Sequence, residues 1–211
     1  MTGAGRSAAA AAADRDVPMT EKAKRDRGLW YDANNDPELI AERAAADELA
    51  FALNQTHPSD VAARERILSE LLGSLGPGAT ILSPFTCDYG YHISIGAGSF
   101  LNHGAYLMDC APITIGANVF IGPDCGLYTA AHPLLAEERR TGAERALLIR
   151  IEDDVWLGGG VRVMPGVTIG AGSVVGAGSL VTRDIPAGVI ALGSPARPVR
   201  AITEADRVLG A

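Results

Sequence analysis

Aromatic residues make up only 5% of the 211-residue chain, and no run of about 18 apolar residues occurs in it, so no segment reads as a membrane-spanning helix. Basic side chains are in deficit, with 18 Lys and Arg against 25 Asp and Glu and a net charge of -7. That balance argues against a general binder of nucleic acid or of anionic membranes, because phosphate needs a basic face. Cysteine is sparse as well. Cys87, Cys110 and Cys125 form no CxxC pair, and an odd count makes a poor disulfide framework, so reduced thiols and a cytoplasmic location are expected. The opening stretch MTGAGRSAAAAAADRDVP carries six consecutive alanines, too weakly apolar and too short a tract for a secretory signal. Met19-Thr20-Glu21 resembles an internal start, so residues 1–18 are expected to be a disordered extension.

Glycine is what the chain has in excess: 25 residues, nearly twice the roughly 7% average. Hydrophobic residues reach 47% and charged residues 20%, which describes a folded chain of one domain with a small appendage. Residues 19–74 read as the appendage, a helical segment. Thr20 caps a short first helix toward Trp30. Asp36 before Pro37 then gives an N-cap with proline in the first helical position, followed by the stripe Leu39, Ile40, Leu49, Ala50 and Leu53. A further helix starts near Ser59 and carries Val61, Ile67, Leu68, Leu71 and Leu72 to a stop at Gly73.

From residue 75 to residue 203 the period changes. Aliphatic residues recur every six positions at Ile95, Leu101 and Leu107, again at Ile115, Ile121 and Leu127, and longest at Ile151, Leu157, Val163, Ile169, Val175 and Val181. Small or β-branched residues sit four positions later, among them Ser99, Ala105, Val119, Cys125, Val155, Ser173 and Ser179. Neither a helix nor a simple strand has that period. It is the signature of a parallel β-helix, three short strands to a coil with like side chains in columns, and a narrow prism explains the scarcity of rings. A sandwich would space its strands by about 8 to 12 residues. Gly96, Gly116, Gly122, Gly158, Gly170 and Gly176 follow the aliphatic residues, where a turn could call for positive φ. The register shifts by two residues near Cys110 to Pro112 and is lost over 129–150. The second interruption reads as a loop extruded from a rigid scaffold, a usual home of chemistry; residues 204–211 read as a tail.

Several segments are more specific than the repeat. YTAAHPLLAEERRTGAE (128–144), DDVWLGGGVRVMPGVTIGAGSVVGAGSLVTRDIP (153–186), GSPARPVR (193–200), TEKAKRDRGLWYDAN near the start and CDYGYHISIGAGSFLNHGAYLMDCAPITIG in the first coils resemble the maltose and galactoside O-acetyltransferase family, over about residues 19–203. The resemblance implies a left-handed β-helix, a homotrimer with active sites between subunits, and acetyl-CoA as acetyl donor.

His132 is the candidate catalytic residue. Acetyl transfer from a thioester to a sugar hydroxyl needs a base for the hydroxyl proton, which an imidazole supplies near neutral pH, and the family's loop histidine has that role. Glu137 and Glu138 lie near it in sequence, and a backbone carbonyl would serve equally to orient the ring. Gly159 and Gly160 resemble the segment whose backbone N–H faces the thioester carbonyl. Trp156 is expected to point outward, toward the pantetheine arm or a trimer interface. Ala177 would touch the arm, and Thr182, Arg183, Arg197 and Arg200 are the candidates for the phosphates of CoA. For the acceptor the resemblance points to Asp32, Asp88, Asn102 and Asp109, any of which could instead cap a turn.

Cys110 stands where galactoside-specific members tend toward a second acid, whereas DYGY and MDCAP look nearer the maltose branch. A zinc carbonic anhydrase on the same fold would need three histidine ligands, and His57, His92, His103 and His132 include no HxxxxH pair, so no metal is expected. A non-catalytic scaffold would not need the loop histidine, the Trp-Leu-Gly-Gly-Gly segment and the late arginines together. An amine acceptor remains the alternative within the acetyltransferases.

Overall fold

The structure, a computed structural model, describes residues 18–210; the expected extension over residues 1–18 lies, but for Pro18, outside them. Short parallel strands build three faces of a solenoid. On the first face Leu75, Ile95, Ile115, Ile151 and Ile169 stack in register. On the second, Ile81, Leu101, Ile121, Leu157, Val175 and Ala191 do so. Cys87, Leu107, Leu127, Val163 and Val181 line the third. The six-residue period is thus the inward column of each face, and the small residues between columns, Ser99, Val119, Val155 and Ser173 among them, are buried where the prism narrows. Each fully buried aliphatic contributes about 1.5 to 3 kcal/mol.

One corner is wider than the other two. From Ile95 to Ile115 a coil takes 20 residues, and from Ile151 to Ile169 it takes 18. The extra pair sits where the third face turns into the first, after Cys87 as well as after Leu107. The shift anticipated only near Cys110 is therefore repeated in the coil before it, and the long loop leaves from the same corner one coil later.

The glycine expectation is corrected. Gly96, Gly116, Gly122, Gly158, Gly170 and Gly176 are absent from the positive-φ positions, which fall two residues later: Gly98, Gly160, Gly172 and Gly178, with Asn118, Asp124 and Asp154 in the same conformation. The first set serves close approach instead. A Cβ on Gly158 would lie 2.6 Å from the Ala177 nitrogen in the next coil.

Before the coils come helix α1 (Glu21–Asp26), α2 (Pro37–Gln55) and α3 (Val61–Leu71), capped by the side chains of Thr20, Asp36 and Asp60. Leu53, Leu68, Leu71 and Leu72 join the solenoid's core and close its first coil. Ile40 and Val61, read as part of apolar stripes, are exposed. The chain ends on face two with an antiparallel hairpin, Val189–Gly193 with Ala196–Ala201, which the repeat did not announce. No helix among the described residues is long and apolar enough to cross a membrane.

The two glycine roles separate experimentally. Gly158→Ala should lower stability by more than about 2 kcal/mol, because the coils must part to admit the methyl group. Gly172→Asn, at φ 66 with open space around it, should stay within about 1 kcal/mol of the parent. Thermal melts of both variants check the contrast; equal losses would refute it.

Candidate active site

The wide corner is held by a buried carboxylate. Asp109 Oδ1 accepts from the backbone N–H groups of Asp88 (3.0 Å) and Tyr89 (2.8 Å), and its backbone carbonyl lies 2.8 Å from His92 Nδ1. Asp109 is fully buried. In this chain its carboxylate fixes the backbone on which Asp88 sits. Asp88 is more accessible: Oδ1 accepts from the Tyr106 hydroxyl at 2.6 Å, and Oδ2 lies 3.4 Å from Cys110 Sγ. Burial pushes the Cys110 thiol up, reinforced by the carboxylates of Glu144 and Asp88.

The loop over 129–150 is not structureless. Ala130–Ala131 and Ala143–Ala146 pair antiparallel, and Tyr31–Asp32 from the N-terminal segment pairs with the other edge of Ala143–Ala146. Alternation in this small sheet turns Glu144 and Ala146 inward, and Tyr31, Cys110 and Ala146 share a small core. His132 follows directly after the first of these strands. Its Nδ1 lies 3.0 Å from the Ala143 carbonyl; a carbonyl only accepts, so Nδ1 is the donor of this bond, and in the neutral ring the lone pair is on Nε2. Nε2 lies 3.7 Å from Glu144 Oε2, while Glu144 Oε1 accepts from the Tyr31 hydroxyl. The ring's partners are thus a backbone carbonyl and Glu144, rather than Glu137 or Glu138. Glu144 and Tyr31 were missed because only the strand alternation, hidden inside an apparent loop, turns them toward the histidine.

Asp32 pairs with Ala143 in register and lines a cleft with Trp30, Thr141 and Ala143. Its carboxylate caps a turn, accepting from the backbone N–H groups of Asn34 and Asn35 and from the Asn35 amide, which lowers its pKa. Asp32, Asp88 and His132 therefore gather around one corner.

The other assigned residues lie elsewhere. Asn102, Gly159, Gly160 and Ala177 stack along the corner between faces two and three. Asn102 Oδ1 accepts from the His103 N–H at 2.8 Å. The Gly160 N–H is engaged by the Pro123 carbonyl at 2.7 Å, and the Gly159 N–H has no backbone acceptor among the described residues. Trp156 is 54% exposed and sits in register beside Phe120, 55% exposed, on face two. Thr182 and Arg183 are exposed where the last coil leaves face three, and Arg197 and Arg200 lie on the terminal hairpin. Between the Gly159 corner and the His132 corner lies the width of face three, about 20 Å for six extended residues. No hydrogen bond or ion pair joins the two groups among the described residues.

Burial pushes the Asp109 carboxyl up to about 6, against the backbone donors that favour its charge. The folded value exceeds the unfolded one, so the folded chain holds the extra proton between about pH 4 and 6 and loses this stabilisation as pH rises through that window. Asp109→Asn keeps an acceptor oxygen and cannot ionise. Denaturant unfolding from pH 4 to 7 should show the variant gaining on the parent by about 2 to 3 kcal/mol; parallel pH curves would contradict the assignment.

Three family descriptions match this architecture: the maltose acetyltransferase hexapeptide capping motif over residues 24–76, the bacterial transferase hexapeptide of six repeats over 149–183, and the hexapeptide repeat of succinyl-transferase over 112–129. The Saccharomyces cerevisiae protein YJL218W, named as a candidate acetyltransferase, is 45% identical over 85% of this chain and 91% of its own length. A maltose O-acetyltransferase from Clostridium difficile 630 superimposes with a TM-score of 0.86 at 42% identity, over 88% of this chain and 99% of that one. A galactoside acetyltransferase in complex with coenzyme A gives 0.84 at 35% identity, over 90% and 94%. With the repeat, the capping segment and the loop histidine in one chain, the protein belongs to the hexapeptide-repeat acetyltransferases, close to the maltose and galactoside O-acetyltransferases.

Proposed function

We propose that the protein transfers an acetyl group from acetyl-CoA to a hydroxyl of a sugar, of the maltose, glucose or galactoside kind, with His132 as general base. The observation that carries this reading is the contact of His132 Nδ1 with the Ala143 carbonyl, which holds the ring's proton on Nδ1 and leaves Nε2 as the base. The acceptor O–H gives its proton to Nε2 as its oxygen bonds to the thioester carbon. The tetrahedral intermediate then expels the CoA thiolate, which takes the proton from the imidazolium, and the ring returns to its starting state. Glu144, 3.7 Å from Nε2 and itself held by Tyr31, stabilises the transient imidazolium by its charge. Asp88 and Asp32 offer acceptor oxygens to sugar hydroxyls on the same side.

The oxyanion needs an N–H donor within about 3 Å of the carbonyl oxygen. Gly159, the proposed donor, lies a face away from His132 in the same chain. A homotrimer answers that separation: the His132 corner of one copy meets the Asn102, Trp156 and Gly159 corner of the next. The exposed Trp156 and Phe120 column supplies an apolar surface for such contact. Acetyl-CoA would lie along this seam, its pantetheine near Ala177 and its phosphates near Thr182, Arg183, Arg197 and Arg200. The buried free cysteines suit a reducing cytoplasm.

His132→Ala should lower kcat by roughly 10² to 10⁴ while CoA still binds, read by thiol release with maltose, glucose and a galactoside as acceptors. Retention of more than about a third of the parent kcat would remove His132 as the base. Turnover with amines and none with these sugars would move the acceptor to the other class.

A further inference from the structure

The terminal hairpin carries two arginines with different surroundings. Arg197 spends one donor on its own neighbour, Nη1 to the Ala196 carbonyl at 2.7 Å. Arg200 is exposed but engaged. Its Nη1 donates to Asp206 Oδ2 at 2.8 Å and to the Ala201 carbonyl at 3.0 Å, and its Nη2 donates to Asp206 Oδ1 at 2.7 Å. This is the two-pronged fork by which a guanidinium holds a carboxylate or a phosphate.

Asp206 is held in that position from its own side. It ends a single turn of 3-10 helix, Glu204–Asp206. Oδ2 accepts from the Thr203 N–H at 2.9 Å, and the Asp206 N–H donates to the Thr203 carbonyl at 2.9 Å. The tail after the hairpin thus folds back to place two carboxylate oxygens where two phosphate oxygens would otherwise sit.

We infer that the C-terminal turn is an autoinhibitory contact, in which Asp206 occupies Arg200 in place of a phosphate of CoA and is displaced when the donor binds. The inference rests on the proposed use of Arg200 as a phosphate ligand. A tail carboxylate in this position weakens binding of the phosphorylated cofactor and leaves a cofactor without that phosphate unaffected. Both groups are at the surface, where an ion pair is screened and weak, so the effect is a modest shift in affinity rather than an on-off switch. Arg197, with no carboxylate on it among the described residues, is outside this control.

Calorimetric titration of the full-length protein with CoA and with dephospho-CoA tests the contact without any acceptor. Asp206→Asn removes the charge and leaves the surface turn, and should tighten CoA by about two- to fivefold with no change for dephospho-CoA. Arg200→Ala should abolish the preference between the two ligands, and the double variant should show no gain over Arg200→Ala. Unchanged or weaker CoA binding by Asp206→Asn, with Arg200→Ala still losing the preference, would overturn the autoinhibitory role alone and make Asp206 a positioning residue or a bystander. If Arg200→Ala keeps the parent's preference, Arg200 does not read the phosphate and both the reading and the inference fall.

Discussion

Coils of a parallel solenoid must stack at the strand spacing of a sheet, about 4.8 Å, and every other feature of this molecule is arranged around that spacing. It requires one inward aliphatic per face per coil, and a glycine after it wherever backbones of successive coils come together. It also leaves each face only a few residues wide. Insertions can be accommodated only at corners, and here they accumulate at a single one. Two residues are added after Cys87 and after Leu107, and the excursion that carries His132 leaves after Leu127. The buried Asp109, bonded to the backbone of the coil below, is the fastening that lets this corner widen without losing register.

That constraint explains why the architecture was legible in the sequence and parts of the site were not. The columns from Ile151 to Val181 repeat without interruption, so their period names the fold directly. The role of the glycines was misread because the period fixes which residues recur but not which backbone angle each adopts; Asn118 and Asp154 at φ 54 and 58 mark the true left-handed positions. The backbone contacts of Asp109 are not legible in sequence, because an acid in a corner looks the same there whether it faces solvent or the N–H groups of the coil below. Glu144 and Tyr31 went unnoticed because they meet only when two segments 113 residues apart form a small antiparallel sheet.

The same sheet makes the N-terminal segment part of the site rather than a mere cap. Tyr31 reaches Glu144, Asp32 pairs with the strand whose Ala143 carbonyl orients His132, and the Arg145 guanidinium donates to the Gly28 carbonyl at 2.8 Å. Local order in the loop thus depends on residues that precede the first coil. On the far side of face three, the Asn102 and Gly159 corner offers an amide whose N–H donors are unengaged among the described residues and a backbone N–H in a glycine turn, the donors that the proposed function uses. A thioester carbon cannot touch both corners of one chain, so the account stands on completion of the site by a neighbouring copy.

Subunit mixing tests that claim most directly. Chains carrying only His132→Ala and chains carrying only Asn102→Ala, each expected to be of low activity by itself, are unfolded together in equal amounts and refolded. If each site takes its histidine from one copy and its amide from the next, about one site in four regains both groups, and thiol release with acetyl-CoA and a sugar should recover to about a quarter of the parent rate. A mixture no more active than its two components would place both residues in the same chain's site and contradict the shared assembly.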